Sequence, residues 1–377
     1  MVAIMHNSLI FLILAALGPA TPLTPPPTSG GHLMPALALT ATGTSVIWHD
    51  DATRAGRAAA GQAIASDAVL TPDPTPYRDA AAVSLGDESY VTWVENDWIY
   101  GFVIGNDGQA RTSPRLLAMV DSRHTQRIAV GANRDRYLFV WGIWTKMLAI
   151  VLDKDGNVLV GDTQLIPGGG IDRAVDKIAV ASDGTDYLVV WEESSDVPWL
   201  TPCGITCPSA DRTVHSIKVT ADGQPKPETE TELAVGGGMP DVVWNGTDYL
   251  VVWTTLAGGG IVGRHVGRDG QPAGSVVTFA GAGPGDFGPH VVWDGSGYDI
   301  GFVRLDGQQL RAIRSNGDGT LIGPLFEGPI AVIGWPRSFS MSAQGKTVAV
   351  AYEADGRIWI RRANTEVPGR VRASRPH

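Results

Sequence analysis

The chain of 377 residues is poor in cysteine, in charge and in long apolar runs. Its two cysteines exclude a scaffold held by a disulfide framework and any zinc site built from four thiolates. Charged residues are 18% of the total, and 29 basic against 39 acidic side chains leave a formal charge of −10. A surface with that balance is not one for nucleic acid. There is no G-x-S-x-G elbow, H-E-x-x-H pair, P-loop or dinucleotide fingerprint. The eight histidines are scattered, with His6 and His377 near the termini. Asp153, Asp155 and Asn157 begin like a calcium loop, but no glutamate stands at its twelfth position, so the segment reads as a hairpin turn. No cofactor and no metal is expected.

The longest apolar run, residues 9–17 (LIFLILAAL), is nine residues long. A bilayer span needs about 20. With Gly18 and Ala20 after it, the run reads as the core of a secretory signal peptide over residues 1–20. No cysteine follows closely, which excludes a bacterial lipid anchor. Residues 21–34 open with TPLTPPPTSGG and read as a Pro-rich tether. The expectation is a secreted or periplasmic protein with no membrane span in its mature chain.

What the sequence has in excess is turn-forming residues and tryptophan. Glycine (47) and proline (25) make up about a fifth of the chain. That exceeds the average of about 12% and falls short of the roughly 25–30% of low-complexity disorder. Hydrophobic residues, at 44%, supply ample material for a core, and the 12 tryptophans outnumber phenylalanine and tyrosine at 8 each.

Internal similarity organises these residues. Residues 181–191 read ASDGTDYLVVW and residues 243–253 read VWNGTDYLVVW. Aligning on the terminal aromatic finds five more copies, giving anchors at Trp48, Trp93, Trp141, Trp191, Trp253, Phe302 and Tyr352. Their spacings are 45, 48, 50, 62, 49 and 50. Most copies continue through a second apolar run into Asp-Gly: Asp107-Gly108, Asp155-Gly156, Asp222-Gly223, Asp269-Gly270 and Asp318-Gly319. Asp-Gly between β-forming residues is a strong hairpin signal, because both residues tolerate positive φ. Each unit therefore reads as four antiparallel strands with the anchor aromatic late in the second. Seven such units predict an all-β, seven-bladed β-propeller over residues 35–377. The blades run at about 35–78, 79–120, 121–170, 171–238, 239–285, 286–332 and 333–377. Because residues upstream of Pro35 are too Pro-rich for a central strand, ring closure is expected from the C-terminal segment around Arg370 to Ser374.

The unit G-T-D-Y-L-V-V-W followed by G-x-x-x-G-x-x-V-x-x-D-G, clearest over residues 245–270, resembles the repeats of secreted bacterial β-propeller proteins. The resemblance covers nearly the whole chain after the tether. It implies architecture and brings no catalytic residue set. The Gly-His…Trp-Asp pattern of WD40 repeats and the Asp box of sialidases are both missing. Ala181, Asp183 and Trp191 echo the tryptophan-docking motif of quinone-dependent dehydrogenases, but Tyr187 stands where that motif needs glycine. The stretch is thus a blade element.

The connections from strand 2 to strand 3, and from strand 4 to the next blade, share one face of a propeller. Acidic residues recur after the anchors (Asp50, Asp51, Glu95, Glu192, Glu193, Glu353). Because they repeat with the blade, they read as solvated or loop-capping groups. Residues that break the repeat are the candidate ligand contacts: Arg123, His124, Asp172, Arg173, Asp286, Phe287, His290, Trp335 and Arg337. Arginine can hold a carboxylate or phosphate bidentately, and aromatics can stack on rings. The spacing of 62 marks an insertion in blade 4, residues 194–212. It carries Trp199 and both cysteines, and in an exported chain Cys203 and Cys207 are expected to form a local disulfide. A stapled, Trp-bearing loop over the channel suits recognition. The expected function is a non-catalytic binding or scaffold propeller for a glycan, peptide or envelope partner. The alternative is an extracellular hydrolase or lyase that acts on polysaccharide through the non-repeated loop residues.

Overall fold

A computed structural model describes residues 20–24, 33–49, 53–59, 67–71, 79–95, 98–119, 128–143, 145–166, 174–194, 212–256, 260–304, 309–329, 339–355 and 357–365. Among these the regular structure is entirely β: seven four-stranded antiparallel sheets, each one blade of a propeller. In six blades the strands run from channel to rim in chain order. Blade 1, for example, comprises Leu33–Leu39, Gly43–His49, Thr53–Ala59 and Asp67–Thr71. Blade 4 comprises Ala174–Ser182, Tyr187–Ser194, Arg212–Val219 and Pro225–Val235.

The second strand of each blade is sandwiched between neighbours, so it is apolar on both sides. In Tyr187–Ser194, Tyr187, Val189 and Trp191 pack with Leu138, Val140 and Val151 of blade 3. Leu188 and Val190, of the opposite parity, pack with Tyr249, Val251 and Trp253 of blade 5. All seven anchor aromatics lie on second strands and are buried, from 0% exposure at Trp48, Trp93, Trp141, Trp191 and Phe302 to 5% at Tyr352. An aromatic of this size removes roughly 150–250 Å² from water, of order 4–6 kcal/mol per blade at about 25 cal/mol per Å². Five blades add a buried tyrosine nearer the other end of the same strand: Tyr90, Tyr137, Tyr187, Tyr249 and Tyr298.

The turns explain the repeated polar residues. Asp183 accepts the N–H groups of Thr185 and Asp186, and Asn245 accepts those of Thr247 and Asp248. Between them the chain passes through Gly184 and Gly246 at φ 88° and 100°, where a side chain would be strained. Asp153 is spent on its own turn, accepting the N–H groups of Asp155 and Asn157 at 2.8 Å.

Ring closure differs from the sequence expectation. Blade 7 takes Phe339–Gln344, Thr347–Ala354 and Arg357–Asn364 from the C-terminal region, and its rim strand is Thr21–Pro22 from the N-terminal region. Thr21 pairs with Ile360 and Pro22 with Trp359. Leu23 follows, fully buried, with its N–H donated to the Ile358 carbonyl at 2.8 Å. The rule that proline is unfit for a central strand holds, but the closing strand is the outermost one, where a missing N–H is tolerated. Arg370 and Ser374 lie outside the described residues. The seam between blades 7 and 1 is held by Ser340 and Ser342, whose hydroxyls accept the N–H groups of Leu37 and Leu39 at 3.2 and 3.0 Å.

Candidate functional site: the central channel

The seven inner strands enclose a channel of about 480 Å³. Each inner strand has a sheet neighbour on one side only, so its other edge turns backbone polar groups toward the channel. Blades 1 to 3 line it largely with small or aliphatic residues such as Ala36, Ala80, Ala82 and Ala129. The other side differs. Lys177 of blade 4, Asp241 of blade 5 and His290 of blade 6 line the channel near the face that carries the strand 2 to strand 3 connections, here the loop face. Phe339 of blade 7 lines it beside them.

These groups are organised. His290 Nδ1 lies 3.4 Å from Asp241 Oδ2, and its ring meets Phe339 edge-on at 4.9 Å. The same Asp241 oxygen accepts the Val291 N–H at 2.9 Å. Burial alone would raise the Asp241 pKa. The hydrogen bond and charge of His290, the Lys177 ammonium and the Val291 N–H outweigh it and hold the carboxyl below its ordinary value. Asp241 is thus held as an anion beside His290, with the Lys177 ammonium adding to its stabilisation.

Other carboxylates of this face act as braces between blades. Asp79 accepts the Ile128 N–H of blade 3 at 2.8 Å. Glu192, only 2% exposed, pairs with Arg212 at 2.7 Å and accepts the Met239 N–H of blade 5 at 2.8 Å. Met239 has φ 57° in an inner-strand bulge, a costly conformation for a non-glycine residue that this bond helps to hold. Asp286, by contrast, is held within blade 6 by a two-pronged contact from Arg304 at 2.7 and 2.8 Å. Glu192 is therefore a buried cap rather than a solvated group.

Glu353 is the exception. It is 3% exposed, and among the described residues no cation or donor offsets its burial, which pushes its pKa up to about 7. It shares the strand face of Ala349 and Ala351, which pack with Leu37 and Trp48 of blade 1.

Of the candidates read from the sequence, the structure brings His290 into the channel. Phe287 is 7% exposed and packs among Met239, Val303, Leu310 and Phe339, so its ring serves the core. Arg123, His124, Arg173, Trp199, Trp335, Arg337 and the expected disulfide of Cys203 and Cys207 lie outside the described residues. The insertion of blade 4 leaves from Ser194 and returns at Arg212, which pair with one another at the loop-face end of the blade. Sequence reasoning missed Lys177, Asp241 and Phe339. Their only signal was position near the start of an inner strand, just after a chain crossing between blades. At the opposite mouth, where the strand 1 to strand 2 turns lie, Trp244 and Trp293 also line the channel. Among the described residues no three His, Cys, Asp or Glu side chains are grouped to hold a metal, and no helix is long and apolar enough to cross a membrane.

The chain is, by fold, a seven-bladed β-propeller. No protein-family profile matches it, and no curated protein matches it either. Among solved structures it is similar to a putative 6-phosphogluconolactonase from Bacteroides fragilis, with a TM-score of 0.50 and 14% identity over 87% of this chain and 90% of that one. It is also similar to a prolyl endopeptidase, with a TM-score of 0.49 and 13% identity over 91% of this chain. The chain spans 46% of that protein's length. These likenesses show the fold alone.

Proposed function

We propose that the chain is an exported, non-catalytic binding propeller that holds a glycan or a peptide of the extracellular or envelope space at the loop face of its channel. One observation carries the reading. Lys177, Asp241 and His290, from three consecutive blades, form a polar arc on one side of the channel, opposite blades 1 to 3, whose lining is mainly small or aliphatic apart from Asp79, and at the end of the molecule from which residues 195–211 depart. A ring of near-identical blades does not need such asymmetry, whereas an oriented ligand does. Calorimetric titration with panels of oligosaccharides and short peptides tests it. Lys177→Ala and His290→Ala are expected to weaken the best binder about tenfold. A binder unaffected by both changes and by deletion of residues 195–211 overturns the siting.

A second reading is a hydrolase or lyase that acts on polysaccharide through the non-repeated loop residues. Turnover of a polysaccharide that is lost on deletion of residues 195–211, with the fold retained, would favour it.

A further inference from the structure

We propose that the mouth of the channel opposite the loop face carries a binding subsite for a neutral sugar ring, built on Trp244 and Trp293. The two residues hold one structural position in adjacent blades. Trp244 pairs with Tyr249 and Trp293 with Tyr298, each tyrosine standing four residues before its anchor aromatic. At the same position the other five blades carry Leu39, Ser84, Ala132, Ser182 and Ala343. The blade therefore folds without an indole there, and two neighbouring blades have acquired one. Both side chains are half-buried and line the channel, unlike the anchor tryptophans.

The rings are held before any ligand arrives. Trp244 lies 4.7 Å from the Tyr249 ring and Trp293 4.8 Å from the Tyr298 ring. The tyrosines are fixed in turn, Tyr249 by a hydrogen bond from Lys218 Nζ at 2.9 Å and Tyr298 by one from Asn245 Nδ2 at 2.6 Å. Preset aromatic surface binds at a small cost in ordering. Two carboxylates of the turns at this mouth are paired with cations. Asp183 pairs with Lys218 and Arg268, and Asp294 with Arg314. Arg268 stands 5.9 Å over the Trp244 ring, and beside it the groups facing the channel are indole, strand-edge backbone and the exposed amide of Gln344 on blade 7. Apolar faces rimmed by neutral donors and acceptors match the alternating C–H faces and hydroxyl edges of an uncharged sugar. The channel volume of about 480 Å³ is within the range of small-molecule sites. The inference rests on the reading of the channel as a binding site, but places this contact at the other mouth.

The test is titration of the full chain with neutral oligosaccharides (cello-, xylo-, manno- and malto-hexaose), with a trigalacturonate as the charged comparison. At least one neutral sugar is expected to bind, and Trp244→Ser and Trp293→Ser, residues that blades 2 and 4 already use, are each expected to weaken it at least tenfold. The exposed rim change Leu159→Ser should leave this affinity within about twofold, whereas a neutral sugar lost in Lys177→Ala and retained in both tryptophan variants would place the site at the loop face and overturn the proposal. Should a serine variant not fold, fluorine NMR of the 5-fluorotryptophan-labelled wild-type protein reads the same contact, with the Trp244 and Trp293 signals shifting on titration. Binding unchanged by either substitution, no neutral sugar bound at millimolar concentration, or preference for the galacturonate would each overturn the proposal.

Discussion

Replacing Glu353 by glutamine should stabilise the protein above neutral pH and leave it nearly unchanged in mild acid. The carboxyl is buried at the seam between blades 7 and 1, and burial alone moves its pKa from 4.5 to about 7. Below pH 4.5 the group is protonated in both folded and unfolded chains, and its ionisation costs nothing. As pH rises toward 7 the unfolded chain ionises while the folded one still holds the proton, so stability falls through this window and is flat above it. The gap between 4.5 and about 7 corresponds to about 3 kcal/mol. Asp299 has the same sign. It is fully buried, and burial pushes it up to about 7 although Arg314 NH1 lies 3.1 Å away. Asp294 works the other way. Its bonds to Thr365, Arg314 and two turn N–H groups overcome burial and hold it at about 2, so its contribution is complete at pH 5 and is lost only in strong acid. Urea unfolding followed by tryptophan fluorescence at pH 4.5 and pH 8 reads the difference directly. The stability of Glu353→Gln relative to the unmodified protein should grow by about 3 kcal/mol between the two pH values, with the Asp299 share of the slope remaining. A relative stability that is the same at both pH values would refute the argument, whatever intrinsic cost the buried amide adds.

Two further outcomes follow from packing. Trp191→Ala, at a fully buried anchor stacked on His215 at 5.3 Å, should cost about 3–5 kcal/mol in the same assay, whereas Trp191→Phe should cost clearly less, because blade 6 uses Phe302 at that position. Leu23→Ala, in the segment that closes the ring, should cost about 2–5 kcal/mol and lower the melting temperature. A Leu23 variant as stable as the unmodified chain would mean that the N-terminal strand is not the clasp.

The parts of this fold that are legible in the sequence are those fixed by neighbours along the chain. An Asp-Gly pair makes its hairpin locally, and a second strand flanked by two blades must be apolar throughout, so the anchors Trp48 to Tyr352 announce themselves. Closure is a different kind of fact. Nothing near Thr21 and Pro22 states that their partners are Ile360 and Trp359. The proline that argues against a central strand is neutral at a rim. Phe287 shows the same limit at the site. It breaks the repeat, which suggested a ligand contact, yet its strand face turns it into the core between blades.

The channel shows why the rest was hidden. Lys177, Asp241 and His290 are far apart in the chain, and only the ring places them on one arc. Trp244 and Trp293 are concealed for the opposite reason, since both sit inside well-matched repeat copies, where nothing along the chain marks them off from the anchors. The pairing register separates the two kinds of indole. The anchors fall on second strands, where every blade has a bulky aromatic, while Trp244 and Trp293 fall on inner strands, where five blades have Leu, Ser or Ala. In a propeller, a departure from the repeat gains functional weight when it occupies a position that the other blades fill differently and that faces the channel. Phe287 meets the first condition and fails the second, His290 meets both, and the tryptophan pair meets both twice over.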